Sequence, residues 1–142
     1  MSNSGFSLVT GAAGFIGSNL TQSLLDRGRN VIAIDCFLPD LYSAELKRRR
    51  WHSLIEPKDC KLIRVEFDLR TDNFDEIDQY PIDSIFHQAA MPGLIDNWQN
   101  SKIYYECNLH ALHRLLEYSR QRSLTSFVHA STSSVYGRVA EG

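Results

Sequence analysis

Short apolar runs alternate with amphipathic stretches along the whole chain. Each run is short enough to be a buried strand, and the residues between runs show helical spacing. The predicted strands are Phe6 to Val9, Val31 to Ile34, Lys61 to Phe67, Ile82 to Phe86 and Leu124 to Ala130. The predicted helices are Gly14 to Arg27, Ser43 to Leu54, Asp72 to Tyr80 and Ser101 to Arg122. The expected apolar positions are Phe15, Leu20, Leu24 and Leu25 in the first helix and Leu109, Leu112, Leu115 and Leu116 in the last.

Strands separated by helices are typical of an α/β protein with a parallel sheet and right-handed crossovers. The element order predicts a Rossmann-type doubly wound sheet with the strand order 3-2-1-4-5. No linker, repeat or low-complexity stretch interrupts the pattern, so we expect residues 1–142 to form one domain. In such a fold the ligand binds at the carboxyl ends of the strands, where the strand order reverses.

Composition and charge exclude several classes of protein. The 142 residues are 43% hydrophobic and 23% charged, with a formal net charge of −2, which does not favour a nucleic-acid or membrane-surface binder. Residues 1–5 are polar and do not resemble a secretory signal. The three cysteines are far apart and predict free thiols in a reducing cytoplasm. His110 and His113 have a metal-binding spacing without a third ligand, so we expect no metal site.

The run from Val9 to Gly17 joins the first strand to the first helix with the glycine spacing GxxGxxG. Gly11 permits a tight turn, Gly14 would let a pyrophosphate approach the backbone, and Gly17 would let the helix pack close to the sheet. The helix N-terminus then presents free N–H groups and its positive dipole end to the phosphates. This strand–turn–helix context predicts a dinucleotide site rather than a packing turn.

Two carboxylates at strand ends refine this prediction. Asp35 is expected to accept hydrogen bonds from the adenosine ribose, and its charge would repel a 2′-phosphate, so NAD is favoured over NADP. The basic run from Lys47 to Arg50 could hold a phosphate, although such runs are more often a solvated helix face. Asp68 could accept from the adenine amino group, with Leu69 covering the ring, or it could be an ordinary turn residue.

Together these features resemble the extended short-chain dehydrogenase/reductase superfamily, and within it the NAD-dependent epimerase/dehydratase family that acts on nucleotide sugars. The resemblance rests on Thr10 to Gly17, Asp35, Asp68 and Leu69, His87 to Ala90, Asn108, and Ala130 to Gly137. It extends over essentially the whole chain in the family's order, which makes the combination specific although each motif alone is weak.

The resemblance implies a role for each matching residue. The cofactor-binding set would comprise Gly11, Gly14, Phe15, Ile16, Gly17, Asp35, Asp68, Leu69, Ala89, Ala90 and Asn108. Ala89 and Ala90 would let the cofactor pass close over the end of the fourth strand, and Asn108 would lie near it on the long helix. Thr132 corresponds to the family's catalytic Ser or Thr, whose hydroxyl would hydrogen-bond the sugar oxygen as hydride moves.

The family's catalytic base is a tyrosine in a Tyr-x-x-x-Lys motif, where the lysine lowers the pKa of the phenol. None of the 6 tyrosines here has a lysine at that spacing; Tyr136 is followed there by Ala140. We therefore expect the N-terminal part of an epimerase or dehydratase, interrupted at Gly142, that binds NAD without turnover. The full-length protein would oxidise a sugar carbon, usually C4, of a UDP- or dTDP-sugar and then return the hydride or eliminate water.

Some alternatives stay open. The run from Ser131 to Ser134 could be only a strand-end turn, and His87 is expected to be structural rather than an acid or base. Ile95 stands where uronic-acid epimerases resembling this chain carry an arginine, which argues against a UDP-glucuronate-type substrate.

The competing functions are a non-catalytic NAD-sensing module and an NADP-dependent reductase. The first would fit a chain that naturally ends without the tyrosine and lysine, and the second would need the basic run to outweigh Asp35. The helix from Ser101 to Arg122 resembles the first of two helices through which family enzymes dimerise, so a homodimer is expected as a possible assembly.

Overall fold

The structure, a computed structural model, describes residues 5–39, 43–93 and 101–137. Its strands are β1 (Phe6–Thr10), β2 (Asn30–Asp35), β3 (Leu62–Glu66), β4 (Ile82–His87) and β5 (Ser126–His129). They form a parallel sheet in the order β3-β2-β1-β4-β5, which confirms the predicted Rossmann-type topology. The strand order reverses between β1 and β4, so the carboxyl ends of these two strands mark the expected ligand site.

Helices connect the strands. They are α1 (Phe15–Asp26), α2 (Ala44–Ser53), α3 (Asp75–Asp78), α4 (Ser101–Tyr105) and α5 (Ala111–Arg120), with a π-helical segment (Glu106–His110) and a 3₁₀ turn (Ser133–Tyr136). Ser43 caps α2, because its side chain accepts the N–H of Leu46 at 3.2 Å. In the part of the chain that is described, no helix combines the length and apolar character that crossing a membrane requires.

Alternation along the strands divides the core into two clusters, one on each face of the sheet. Leu8, Ile32 and Ile34 belong to the cluster that includes Ile77 of α3 and Leu115 of α5. The intervening residues Val9, Val31 and Ala33 belong to the cluster that includes Leu25 of α1 and Trp51 of α2. Because successive side chains of a strand point to opposite faces, the helices cover the sheet on both sides.

The first helix packs differently from the expected apolar positions. Gly17, Thr21 and Leu25 are its buried residues, whereas Phe15 is 69% exposed. The buried positions are four residues apart and form one face of the helix. Small side chains at the first two of them bring the helix close to the sheet, which leaves Phe15 outside the contact.

The sequence pattern predicts one regular helix from Ser101 to Arg122, but the structure has α4, the π-helical segment and α5 in that range. Its middle is the π-helical segment, and its buried residues are Ala111, Leu115 and Tyr118. Of the apolar positions expected to share one side, Leu109 is 60% and Leu116 46% exposed. A π turn widens the helix and changes which residues face the sheet beyond it, so the apolar spacing alone misplaces that face.

Strand β5 occupies one edge of the described sheet. It covers only Ser126–His129, less than the range expected from the apolar pattern, and it pairs with β4. Most of its residues are exposed, with Val128 at 45%. Val128 is therefore an exposed apolar side chain on the outermost strand of the described sheet.

Candidate dinucleotide site

Close backbone contacts form the glycine-rich loop between β1 and α1. Gly11 has φ +66°, and a Cβ added there would lie 2.8 Å from the backbone nitrogen of Ala89. A Cβ added to Gly17 would lie 2.1 Å from the carbonyl oxygen of Gly11, closer than any real contact. The predicted roles of these glycines as turn and close-packing residues therefore have a direct steric cause.

The N-terminus of α1 opens beside this loop. Gly14 is the N-cap residue, with extended backbone and no side chain to satisfy the first-turn N–H groups. Phe15 and Ile16 follow and are 69% and 64% exposed. No acidic residue lies in the first turn of the helix, so the turn itself carries no negative side chain. A phosphate group fits such a helix terminus through its N–H groups and positive dipole end.

Asp35 joins the end of β2 to the glycine-rich loop. Its Oδ2 accepts the N–H of Ala13 at 3.0 Å, and its Oδ1 accepts the N–H of Phe37 at 2.8 Å. Asp35 is 9% exposed, and Phe37 has φ 54°, a left-handed conformation that is uncommon for a side chain of this size. Each carboxylate oxygen retains a second acceptor direction, so the loop contacts leave capacity for ribose hydroxyls.

The ends of β1 and β4 are connected by Thr10, a residue to which the sequence pattern assigned no separate role. Its Oγ1 accepts the N–H groups of Gln88 at 3.1 Å and Ala89 at 3.0 Å and lies 2.8 Å from Nδ1 of His87. His87 is 1% exposed and stacks on His129 of β5. This packing supports the structural interpretation of His87. The sequence offered one indication of this role of Thr10, a hydroxyl side chain directly before Gly11.

The turn after β3 holds Asp68 and Leu69. Arg70 donates to Asp68 Oδ1 from its backbone N–H at 2.9 Å and its Nε at 2.9 Å, and to Oδ2 from Nη2 at 2.7 Å. These hydrogen bonds hold the pKa of Asp68 below its usual value. Asp68 is thus an ionised turn residue, and Leu69 is buried in the core. Sequence reasoning missed Arg70, although an arginine two residues after a turn aspartate is a recognisable partner.

Asn108 lies in the π-helical segment and faces the loop after β4. Its Oδ1 accepts the N–H of Met91 at 2.7 Å, and its Nδ2 donates to the carbonyl oxygen of Met91 at 3.0 Å. This two-point contact fixes the chain just beyond Ala89 and Ala90, of which Ala90 is exposed. π-helical turns are frequent at functional sites because they displace a side chain from regular spacing. Ile95, which was expected to argue against a UDP-glucuronate-type substrate, lies outside the described residues.

The basic run on α2 binds groups of this chain. Lys47 Nζ donates to the carbonyl oxygen of Leu38 at 2.5 Å, Arg48 pairs with Glu66 at 3.0 Å, and Arg49 pairs with Glu45 at 2.5 Å. Because Lys47, Arg48 and Arg49 each have an acceptor within this chain, these contacts favour a solvated helix face over a phosphate site. The guanidinium of Arg50 lies over the ring of Phe15, 5.8 Å from its centre.

The remaining predicted residues lie at the end of β5. Thr132 is exposed, its carbonyl oxygen accepts the N–H of Val135 at 3.3 Å, and Tyr136 is 82% exposed. At the opposite end of the sheet, an open depression is lined by Gly5, Pro81 to Asp83 and Gln121 to Ser123 and includes none of the predicted site residues. Within residues 5–39, 43–93 and 101–137, no three metal-ligating side chains lie together.

Comparison with protein families finds a match to the family described as NAD dependent epimerase/dehydratase over residues 7–142. One curated relative, the uncharacterized UDP-glucose epimerase YtcB of Bacillus subtilis, is 45% identical over 92% of this chain and 40% of its own length. A UDP-glucuronate 4-epimerase of Thermodesulfobacterium geofontis is 32% identical over 93% of this chain and 41% of its own length. The chain thus spans about two fifths of these relatives, as their N-terminal part.

Solved structures give the same result. The UDP-glucuronic acid 4-epimerase of Bacillus cereus, solved with NAD and a fluorinated UDP-glucuronic acid, is 36% identical with a TM-score of 0.82. The match covers 96% of this chain and 43% of that one. MoeE5, solved with UDP-glucuronic acid and NAD, is 38% identical with a TM-score of 0.73 and is matched over 95% of this chain and 39% of its own.

Proposed function

The chain belongs to the NAD-dependent epimerase/dehydratase family, and on that basis we propose that it is the NAD-binding part of an enzyme that epimerises or dehydrates a UDP- or dTDP-linked sugar. The observation that carries the proposal is the contact of Asp35 with the glycine-rich loop. The carboxylate of Asp35 accepts the N–H of Ala13 in the loop. A carboxylate at the end of the second strand of such a unit is the expected acceptor for the ribose hydroxyls, which supports the proposal.

The residues of the loop fit NAD. The space beside Gly17 and Gly14 is limited by the carbonyl oxygen of Gly11, and no side chain caps the N-terminus of α1. The proposed binding residues are Gly11, Gly14, Phe15, Ile16 and Gly17 for the pyrophosphate, Asp35 for the ribose, Asp68 and Leu69 for adenine, and Ala89, Ala90 and Asn108 along the rest. NAD, when bound, supplies a hydride acceptor for a carbon of the sugar.

Thr132 is the residue of this chain proposed to act on the substrate. It is exposed and follows β5 by three residues, beyond the carboxyl end of the sheet at which Thr10, His87 and His129 are paired. Its hydroxyl would hold the sugar oxygen during proton and hydride movement. Since no tyrosine here has a lysine at the Tyr-x-x-x-Lys spacing, we propose that residues 1–142 bind cofactor without turnover.

Calorimetric titration of the chain with NAD and NADP tests the cofactor site. NAD is expected to bind more tightly, and Asp35→Asn is expected to weaken NAD about tenfold or more, because charge-assisted hydrogen bonds to the ribose are lost. Glu76→Gln, which removes an exposed carboxylate on α3, should leave both affinities unchanged. Equal binding of NAD and NADP by the unaltered chain would contradict the assignment of Asp35.

Incubation with NAD and candidate UDP- or dTDP-sugars tests the proposed lack of turnover. NADH absorbance and the composition of the sugar pool are followed together. Neither is expected to change at an enzyme-like rate. Steady isomerisation by residues 1–142 would contradict the proposal, whereas NAD binding without any sugar response would equally fit an NAD-sensing module.

An apolar surface on the α4–π–α5 stretch supports a proposed homodimer. Tyr105, Leu109 and Leu116 are 60%, 60% and 46% exposed. Burial of such side chains between two copies would be favourable. Light scattering at high concentration should therefore detect association that Leu109→Glu weakens, and a strict monomer would count against it.

We also propose a cytoplasmic location. The free thiols of Cys36, Cys60 and Cys107 support this proposal, because a reducing compartment keeps cysteines unpaired.

A further inference from the structure

We propose that Arg70 is a positioning residue of the adenine subsite, which holds the Asp68 carboxylate in one orientation and leaves a single acceptor direction for the adenine amino group. The inference rests on the proposed NAD site and extends it to a residue outside the predicted set. Three sets of contacts support it: the hydrogen bonds of Arg70 to the Asp68 carboxylate, the hydrogen bonds that hold the backbone of the turn without Arg70, and the contact of the Arg70 guanidinium with the π-helical segment.

The contacts of Arg70 account for most of the acceptor capacity of Asp68. Oδ1 receives the backbone N–H and Nε of Arg70, both at 2.9 Å, which fills its two lone-pair directions. Oδ2 accepts a hydrogen bond from Nη2 at 2.7 Å. It also lies 3.2 Å from Nε, but that N–H is already donated to Oδ1 over a shorter distance. One direction on Oδ2 therefore remains open, which suits one N–H of an exocyclic amino group and not a carbonyl oxygen.

The backbone of the turn is held without Arg70. Arg114 of α5 donates to the carbonyl oxygens of Leu69 and Asp72, both at 2.6 Å. The backbone N–H of Asp68 donates to Asp72 Oδ2 at 2.8 Å. Loss of the Arg70 side chain would thus release the carboxylate before it released the turn, so its effect on orientation can be separated from its effect on folding.

The π-helical segment lies behind Arg70. Glu106 Oε2 is 4.0 Å from Nη1 of Arg70. The same segment carries Asn108, which fixes the loop after β4 through Met91. Arg70 therefore connects the adenine turn to the helix that positions the other end of the proposed cofactor site.

The test compares NAD with nicotinamide hypoxanthine dinucleotide, in which a carbonyl oxygen replaces the adenine amino group. Calorimetry on the unaltered chain should show NAD binding about tenfold more tightly, since the open direction on Asp68 accepts an N–H and repels an oxygen. Arg70→Gln should reduce that ratio towards equality, and Arg70→Lys should restore part of it, because an ammonium group keeps the charge without the planar grip. Arg120→Gln, which removes an arginine of α5 whose side chain is 75% exposed, is the control and should keep the ratio.

A second variant leaves Arg70 in place and tests orientation directly. In Asp68→Asn, the amide oxygen would keep the backbone N–H and Nε of Arg70, which are the contacts of Oδ1. The NH₂ group would take the place of Oδ2, lose the hydrogen bond from Nη2 and present an N–H to the ligand, so the preference should reverse towards the hypoxanthine analogue. This result does not depend on whether Arg70→Gln folds.

Three outcomes would overturn the inference. They are an unchanged ratio in folded Arg70→Gln, tighter NAD binding once Arg70 is removed, and an unreversed preference in Asp68→Asn. The failure of the proposed NAD site would look different, because the unaltered chain itself would then bind neither dinucleotide.

Discussion

Oγ1 of Thr10 lies 2.8 Å from Nδ1 of His87, at paired register positions of β1 and β4. Because Oγ1 already accepts two backbone N–H groups, from Gln88 and Ala89, its own proton is directed at the ring nitrogen. Nδ1 is then the acceptor, and His87 is neutral with its proton on Nε2. A single hydroxyl thus fixes the tautomer of a buried histidine and the start of the loop that carries Ala89 and Ala90.

Thr10→Val is expected to lower the free energy of unfolding by about 2 to 3 kcal/mol. The valine fills the same volume but leaves buried Nδ1 of His87 and the half-buried N–H of Ala89 without their partner, while the N–H of Gln88 keeps only its 3.3 Å contact with the carbonyl oxygen of Thr10. Urea unfolding measures the difference. Thr21→Val is the matched control, because Oγ1 of Thr21 is buried on α1 with no hydrogen-bond partner among the described residues. That change should be neutral or stabilising, and equal losses in both variants would refute the argument.

Gly17→Ala is expected to destabilise the chain and to weaken NAD binding. The new methyl group would lie 2.1 Å from the carbonyl oxygen of Gly11, so α1 or the loop must move, at a cost of about 1 to 3 kcal/mol. Gly28→Ala provides a control, since Gly28 has φ +77° with open space around it. It should cost only about 1 kcal/mol for the left-handed backbone and should not change NAD affinity. Normal NAD binding by Gly17→Ala would show that the close approach is not needed.

Stability should fall on acidification because of His87. Burial, with a smaller contribution from the nearby charge of His129, lowers the pKa of His87 to about 4 from the ordinary 6.5. Between these two values the unfolded chain binds a proton that the folded chain does not, so unfolding becomes easier as the pH falls from 6.5 towards 4. The full effect is about 3 kcal/mol and is complete below the folded pKa.

Urea unfolding across this pH range provides the measurement. His87→Gln should flatten this part of the stability profile, whereas His113→Gln, which removes an exposed histidine of α5, should leave its slope unchanged. A profile of the unaltered chain that is flat through this range would contradict the assignment.

The three thiols should differ in reactivity and in their response to NAD. Cys36 and Cys107 are half-buried and are sequence neighbours of two proposed NAD-binding residues, Asp35 and Asn108 respectively. Cys60 is only 5% exposed, and its Sγ donates to the carbonyl oxygen of Leu25 at 3.3 Å. Burial raises the pKa of all three, so alkylation should be slow at neutral pH and faster in mild alkali.

Peptide mass mapping after iodoacetamide treatment measures the reaction at each cysteine. Saturating NAD is expected to protect Cys36 and Cys107, and Cys60 should react only when the chain unfolds. Protection of Cys60 alone, or of none of the three, would place the dinucleotide away from the adenine turn.

The sequence determined the features that depend on residue type and local spacing. Five apolar runs separated by helical stretches fixed the strand order, because parallel strands with right-handed crossovers allow few arrangements. The GxxGxxG spacing and Asp35 also stand out in the sequence, because a strand–turn–helix context and a carboxylate at a strand end are local patterns. The close approach of Gly11 to Ala89 and the hydrogen bond of Asp35 to Ala13 arise only in the folded chain.

Only the tertiary structure decided which distant side chains meet. The bond of Thr10 to His87 joins residues 77 apart in sequence, and the connection of Arg70 to Glu106 depends on how the helical stretch packs beside the turn after β3. The π-helical segment likewise moved the buried face of the last helix to Ala111, Leu115 and Tyr118, against the apolar spacing. Local pattern specifies the elements, but the contacts that orient side chains at the site arise from packing between elements, which no local pattern encodes.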